Sequence, residues 1–229
     1  MCFSETQSYL HAIILIIGSI FVYPETRLYL PLIFLALKDL IQGLSYRNIR
    51  KNKSTQFLTA LSWIHICFQP LFVNVFASYF DKNFKYWNII FLICLFYGLY
   101  NITKLKEFDI QNDPNCVKIN KFNDFCSKKT QSYIGKYHIG YKFKRDSDKI
   151  FFPITYYLIL TFLPSLFTKA RNFGITWILF VGLIYSIFNN VGHGEKAAIW
   201  CYSSIIIFLP FALFNKQVSK INFPFFPRN

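Results

Sequence analysis

The segment 56–80 constrains the fold more than any other part of the chain, because it contains no Lys, Arg, Asp or Glu. An α-helix rises about 1.5 Å per residue, so this segment is long enough to cross a hydrocarbon core of roughly 30 Å. His65, Gln69 and Asn74 lie well inside it. Polar groups at membrane depth are costly unless they have partners or line a wet cavity. The segment therefore predicts a transmembrane helix with either a functional polar site or interhelical hydrogen bonds.

Composition supports a membrane protein. The chain is 54% hydrophobic and 21% aromatic but only 16% charged, and its mean hydropathy is +0.32. The net charge of +14 comes mainly from basic residues in the segments that separate apolar blocks. A nucleic-acid-binding protein would instead gather such charges on one folded face. The pattern predicts the lipid bilayer as a partner, with basic segments near anionic head groups, and no nucleic acid.

The remaining apolar blocks predict an all-α, multi-pass helical bundle that forms one transmembrane domain over residues 1–229. About seven spans are expected, with six as the alternative count. The hydrophilic segment 104–150 is predicted to be an extramembrane loop within this domain. The predicted spans are residues 3–23, 28–45, 56–80, 86–103, 151–168, 174–188 and 196–214.

Seven spans would place the N-terminus and residues 46–55, 104–150 and 189–195 together on one side of the membrane, here called side A. About 16 of the Lys and Arg residues would lie there, which favours the cytoplasm for side A. Cys116 and Cys126 lie close enough in the long loop to form a disulfide, which requires an oxidising compartment. Long loops weaken the charge argument, so the orientation stays open.

His138 lies in the long loop between aromatic residues. A solvated loop is the simpler interpretation of this stretch. The alternative is that its amphipathic sequence lies across the side-A end of the bundle.

Side A would also gather unusual polar residues from several helices. If the helices pack as a compact bundle, these residues would line one polar cavity around His65 that binds a small molecule or an ion. The predicted cavity residues are Asp39, Gln42, His65, Gln69, Asn74, His193 and Glu195.

Lys38 and Asp39 are charged residues inside the second predicted span. Adjacent helical residues point about 100° apart, so the two are not expected to pair with each other. Lys38 would extend toward side A, and a partner such as His65 would relieve the cost of burying Asp39.

A bound metal ion is the one cofactor that the residue types permit. The spacing is not diagnostic, because no Cys-x-x-Cys, His-x-x-x-His or His-Glu-x-x-His motif occurs. Packed or hydrogen-bonded Cys and His are the more common situation in proteins. The candidate ligands are Cys2, His65, His193 and Cys201.

Several motifs resemble an uncharacterised family of small multi-pass membrane proteins known in bacteria and giant viruses. The matching stretches are Met-Cys-Phe-Ser at residues 1–4, Ile-His-Ile-Cys-Phe-Gln-Pro-Leu-Phe-Val-Asn at residues 64–74, Cys116 and Cys126 followed by Tyr-His-Ile-Gly-Tyr at residues 137–141, and Glu195 with Ala-Ile-Trp-Cys at residues 198–201. The resemblance covers most of the chain. It implies a polytopic fold and no known activity.

Three function classes follow from these observations. The first is a transporter, channel-like protein or sensor that uses a polar path through the bundle. The second is an intramembrane, metal-dependent lipid hydrolase. Its span count and its Ser, His and Asp content resemble the seven-helix ceramidase and adiponectin-receptor group. The last-helix His-x-x-x-His of that group is missing here, with only His193 before the seventh span. The third is a structural membrane protein.

Overall fold

The computed structural model describes five helices and one β-hairpin. The described residues are 4–23, 25–49, 52–103, 131–135, 138–142, 154–167, 184, 188 and 208–214. In chain order the elements are α1 (Glu5–Phe21), α2 (Thr26–Asn48), α3 (Asn52–Phe80), α4 (Trp87–Ile102), β1 (Gln131–Ile134), β2 (Ile139–Lys142) and α5 (Ile154–Leu166). Residues 184, 188 and 208–213 are also helical.

The first five predicted spans coincide with α1 to α5, which confirms that the chain is mostly helical. Among the described helices, α2 and the Ser54–Phe80 part of α3 are long and apolar enough to cross a membrane. The described parts of α1, α4 and α5 are shorter apolar helices. The sixth and seventh predicted spans lie mostly outside the described residues. The described part thus supplies two of the seven membrane-length helices that the sequence predicts.

The first two helices pack closely along each other. Ser4 caps α1, because its hydroxyl accepts a hydrogen bond from the Gln7 backbone N–H at 3.3 Å. On α2, a Cβ added to Gly43 would lie only 2.8 Å from Cε1 of Tyr9 in α1. A glycine at this position therefore lets the Tyr9 ring rest directly on the α2 backbone.

Helix α3 is the central element, because its polar side chains bond four different neighbours. Each bond uses a backbone carbonyl or hydroxyl of the neighbouring element, so α3 is fixed to all of them at once. The bonds are Thr59 Oγ1 with Ser132 Oγ of β1 (2.7 Å), Trp63 Nε1 to Asn101 O of α4 (3.1 Å), His65 Nε2 to Phe34 O of α2 (2.9 Å) and Asn74 Nδ2 to Leu160 O of α5 (2.7 Å).

The helices share an apolar core but also present apolar side chains outward. Buried Leu32 of α2, Phe76 of α3 and Phe208 belong to one hydrophobic cluster, and the Phe76 and Phe208 rings lie 4.2 Å apart. The outer faces of α1 and α4 expose many large aliphatic and aromatic residues, and exposed apolar surfaces of this kind mark contact with a partner protein or a membrane. The exposed residues include Leu10, Ile13, Ile17, Ile20, Ile89, Leu92, Ile93 and Phe96.

The β-hairpin packs against the side-A ends of α2 and α3. Helix α4 ends opposite Trp63, and the buried side chains of Ile139 and Tyr141 cluster with Trp63 and Cys67. The Ile139 backbone N–H also donates to the Tyr46 hydroxyl at 2.9 Å. The simpler expectation of a solvated loop is therefore wrong for this stretch. Its apolar residues gain buried contacts that a solvated loop would forgo.

Candidate functional site

Four buried polar residues and the half-buried His11 form a group contributed by three helices, here called the polar core. They are His11 of α1, Lys38, Asp39 and Gln42 of α2, and His65 of α3. Lys38, Asp39 and Gln42 share one stretch of the α2 surface because residues three and four positions apart lie one above the other. At 1.5 Å per residue, Asp39 lies roughly 14 Å from the side-A end of α2 and His65 roughly 20 Å from that of α3. The group therefore extends from the side-A half of the bundle to its middle.

Lys38 and Asp39 form an ion pair, and the expectation that they do not pair is wrong. Lys38 Nζ lies 3.1 Å from Asp39 Oδ1, and the two side chains are only 8% and 0% exposed. Their Cβ atoms do point apart, but the flexible four-carbon stem of lysine lets its ammonium group bend back to the neighbouring carboxylate. Lys38 therefore stays buried and does not extend to side A. Pairing offsets part of the cost of removing both charges from water.

His11 of α1 lies within electrostatic range of this ion pair and was not among the site residues predicted from the sequence. The imidazole interacts electrostatically with the Asp39 carboxylate and with the Lys38 ammonium group. The available signal was its position: His11 lies about one and a half turns into a helix that starts on side A, near the depth of Asp39. Helix α1 thus contributes a titratable group to the same site as α2.

Gln42 is the least satisfied member of the polar core. Its side chain is 1% exposed. Neither Nε2 nor Oε1 has a hydrogen-bond partner among the described residues. A buried amide without partners costs roughly 1–3 kcal/mol. An ordered water molecule or a bound ion at both atoms would remove this cost.

His65 is held tightly from two directions. Its Nε2 lies 2.9 Å from the Phe34 carbonyl oxygen, which accepts hydrogen bonds only, so Nε2 carries the proton. The Nδ1 atom has no partner in the part of the chain that is described. The His65 ring stacks on Phe34 with centroids 3.8 Å apart, and Phe72 stacks on Phe34 at 3.9 Å. In the neutral ring, Nδ1 therefore offers a lone pair inside a rigid aromatic stack.

The described residues around His65 are closely packed. A cavity lined by Phe34, Gln69 and Phe72, among other residues, has a volume of about 10 Å³. That volume is about enough for one water molecule. Lys38 of the polar core interacts electrostatically with His65. This small cavity lies beside the polar core, because Gln69 and Phe34 line it while none of the five polar-core residues does.

Asn74 has a structural role that the sequence left open. Its Nδ2 donates to Leu160 O at 2.7 Å and to Pro70 O at 2.8 Å. Pro164 lacks the N–H that would otherwise bond the Leu160 carbonyl four residues before it in α5. Asn74 supplies the missing donor, so this residue fits interhelical bonding.

The other predicted site residues lie outside the described residues. They are His193 and Glu195 of the cavity, Cys2 and Cys201 of the metal site, and the disulfide pair Cys116 and Cys126. Within the ranges that the structure does cover, no group of three or more His, Cys, Asp and Glu residues is placed to hold a metal ion. Two other cysteines, Cys67 and Cys94, are buried free thiols.

Comparison with known proteins gives one match. The model of a family of unknown function, DUF5765, matches residues 16–218. No curated protein matches the chain, and no solved structure does. The family match agrees with the resemblance to an uncharacterised family.

Proposed function

We propose that the chain, which belongs to the DUF5765 family of unknown function, is a multi-pass membrane protein that conducts protons through its polar core. The outward apolar faces of α1 and α4 support the multi-pass arrangement. Membrane proteins that move ions carry rare ionisable residues inside their bundles. The polar core has this composition.

The main support for the proposal is the bonding of Gln42. A fully buried amide whose two polar atoms lack described partners is stabilised when water or an ion bonds them. Gln42 lies one helical turn from Lys38 and Asp39, so water bound there would contact the charged pair. A hydrated Gln42 would therefore connect titratable groups that packing alone would isolate.

The residue types of the polar core favour the proton as the transported species. The cavity beside Gln69 has room for about one water molecule. His11, Asp39 and His65 are groups that gain and lose protons, and each of them interacts electrostatically with Lys38. A proton can pass along such groups and single waters without opening the bundle, whereas a larger solute requires rearrangement.

A flux assay with near-isosteric variants tests the proposal. The protein would be reconstituted into liposomes with a pH-sensitive dye inside, and proton flux would be measured after a pH step. We expect Gln42→Met to lower the flux about tenfold, as the loss of one hydrogen bond of about 1.4 kcal/mol predicts. Leu28→Met, about four turns away on α2 and equally buried, is the matched control and should retain flux.

The proposal would be contradicted if liposomes with either variant and liposomes without protein all showed the same proton flux. That result would favour a structural protein held together by the polar bonds of α3.

A second function, an intramembrane metal-dependent hydrolase, is favoured by one observation. His65 Nδ1 offers a lone pair with no described partner, as a metal ligand would. The test is elemental analysis of protein purified without chelators, alongside His65→Ala and His193→Ala. Near-stoichiometric zinc, iron or copper that is lost in both variants would support this function. Metal-free wild-type protein would contradict it.

A further inference from the structure

We propose that a groove between the end of α2 and the start of α3 binds one anionic phospholipid. The groove has a volume of about 440 Å³ and is open to the outside of the bundle. It is lined by Leu44, Asn48, Ser54, Phe57 and Leu58. The inference rests on the membrane location in the proposed function but not on proton conduction.

The polarity of the groove changes along the bundle axis as it does along a lipid molecule. Asn48 and Ser54 lie at the side-A end, and Leu44 and Phe57 lie about one turn deeper. Leu44 and Phe57 are both exposed. Exposed Leu37 lies two turns deeper than Leu44 on the same face of α2 and continues the apolar track. A head group would meet the polar end while an acyl chain follows the aliphatic residues.

The charge at the polar end selects an anionic head group. Arg47 is exposed in the last turn of α2, next to Asn48 and one turn from Leu44. The sequence of segment 46–55 contains four basic residues and no acidic one. Basic residues beside an apolar surface recognise anionic lipids, each contributing about 1 kcal/mol near the membrane surface. A zwitterionic lipid would gain little of this attraction.

The walls of the groove are joined by a side-chain bond. The Thr55 hydroxyl donates to the Asn48 carbonyl oxygen, which connects the first turn of α3 to the last residue of α2. Thr59 continues this attachment by bonding the Thr55 carbonyl oxygen and the Ser132 hydroxyl of the hairpin. These bonds hold the two walls of the groove together, which lowers the entropic cost of ordering them when a lipid binds.

Native mass spectrometry of the full chain in a non-ionic detergent tests the inference. The probes are phosphatidylglycerol and phosphatidylcholine with identical acyl chains. We expect wild-type protein to bind phosphatidylglycerol preferentially, and Arg47→Gln to weaken that binding about fivefold. Lys85→Gln removes an exposed charge before α4 at the opposite end of the bundle, and it should leave the binding unchanged.

Equal binding of the two lipids by wild-type protein would overturn the inference. So would equal losses for Arg47→Gln and Lys85→Gln, because they would show a general charge effect. Phosphatidylglycerol selectivity in protein that conducts no protons would reject only the proton-conducting function. Proton flux without lipid selectivity would reject only the lipid site.

Discussion

Breaking the buried ion pair should destabilise the protein far more than breaking its exposed counterpart. Lys38 and Asp39 are 3.1 Å apart and almost fully buried, whereas Lys82 and Glu25 are 3.4 Å apart and about half exposed. At an effective dielectric constant of about 20, charges at the buried distance attract by roughly 5 kcal/mol, which desolvation largely offsets. Asp39→Asn leaves the Lys38 ammonium buried without its counter-charge. We expect it to cost about 3–5 kcal/mol.

Thermal unfolding of the detergent-solubilised protein measures this difference. For a chain of this size, 3–5 kcal/mol corresponds to a fall in Tm of roughly 6–20 °C. Glu25→Gln removes the same charge from the exposed pair and should cost no more than about 1 kcal/mol. The double variant Lys38→Met/Asp39→Asn should recover much of the loss, because it leaves no unpaired charge.

Equal Tm values for Asp39→Asn and Glu25→Gln would refute this reasoning. They would mean that water reaches the Lys38 ammonium as readily as it reaches Lys82. The reasoning would also be contradicted if Lys38→Met/Asp39→Asn were less stable than Asp39→Asn or Lys38→Met alone, since the pair would then contribute net stability.

Three further changes test the packing around the site. Asn74→Leu should destabilise the protein by about 1–3 kcal/mol in denaturant unfolding, because it leaves the buried Leu160 carbonyl unpaired. Adding Pro164→Ala should recover part of that loss, because alanine restores an N–H donor to this carbonyl. Tyr46→Phe should speed hydrogen exchange in the hairpin severalfold while leaving α1 unchanged, because it removes an acceptor worth about 0.5–1.5 kcal/mol; equal acceleration in both would contradict this. Gly43→Ala should lower Tm despite the better helix propensity of alanine, because the Tyr9 ring occupies the required space, and a higher Tm would show that the ring moves freely.

The polar residues of the chain divide into two groups by their bonding. Those of α3 mostly bond neighbouring elements, so their burial is explained by the assembly of the bundle. Those of the polar core carry charge or lack described partners, as Gln42 does. His65 belongs to both groups, because Nε2 holds α2 while Nδ1 remains available. A site that is both structural and functional in this way would be sensitive to most substitutions.

The helix positions followed from local sequence. Long apolar segments and the positions of proline are properties of neighbouring residues, and they determine where backbone hydrogen bonding must be internal. The segment 56–80 was therefore recognisable as a helix, and α3 extends only four residues beyond it at its start. The same segments predicted that Asp39, Gln42, His65, Gln69 and Asn74 line a polar cavity, and all five are buried.

The partners of these side chains were decided by tertiary structure. From the sequence, His65 was the expected partner of Asp39, but the bundle brings the Phe34 carbonyl to His65, and the flexible Lys38 stem reaches Asp39. Similarly, nothing local places His138 and Ile139 in a hairpin against Trp63. Partner choice depends on which distant residues meet and which rotamers packing allows, and neither can be read from a hydropathy pattern. Local sequence thus determined the helices, and only their packing determined the polar core.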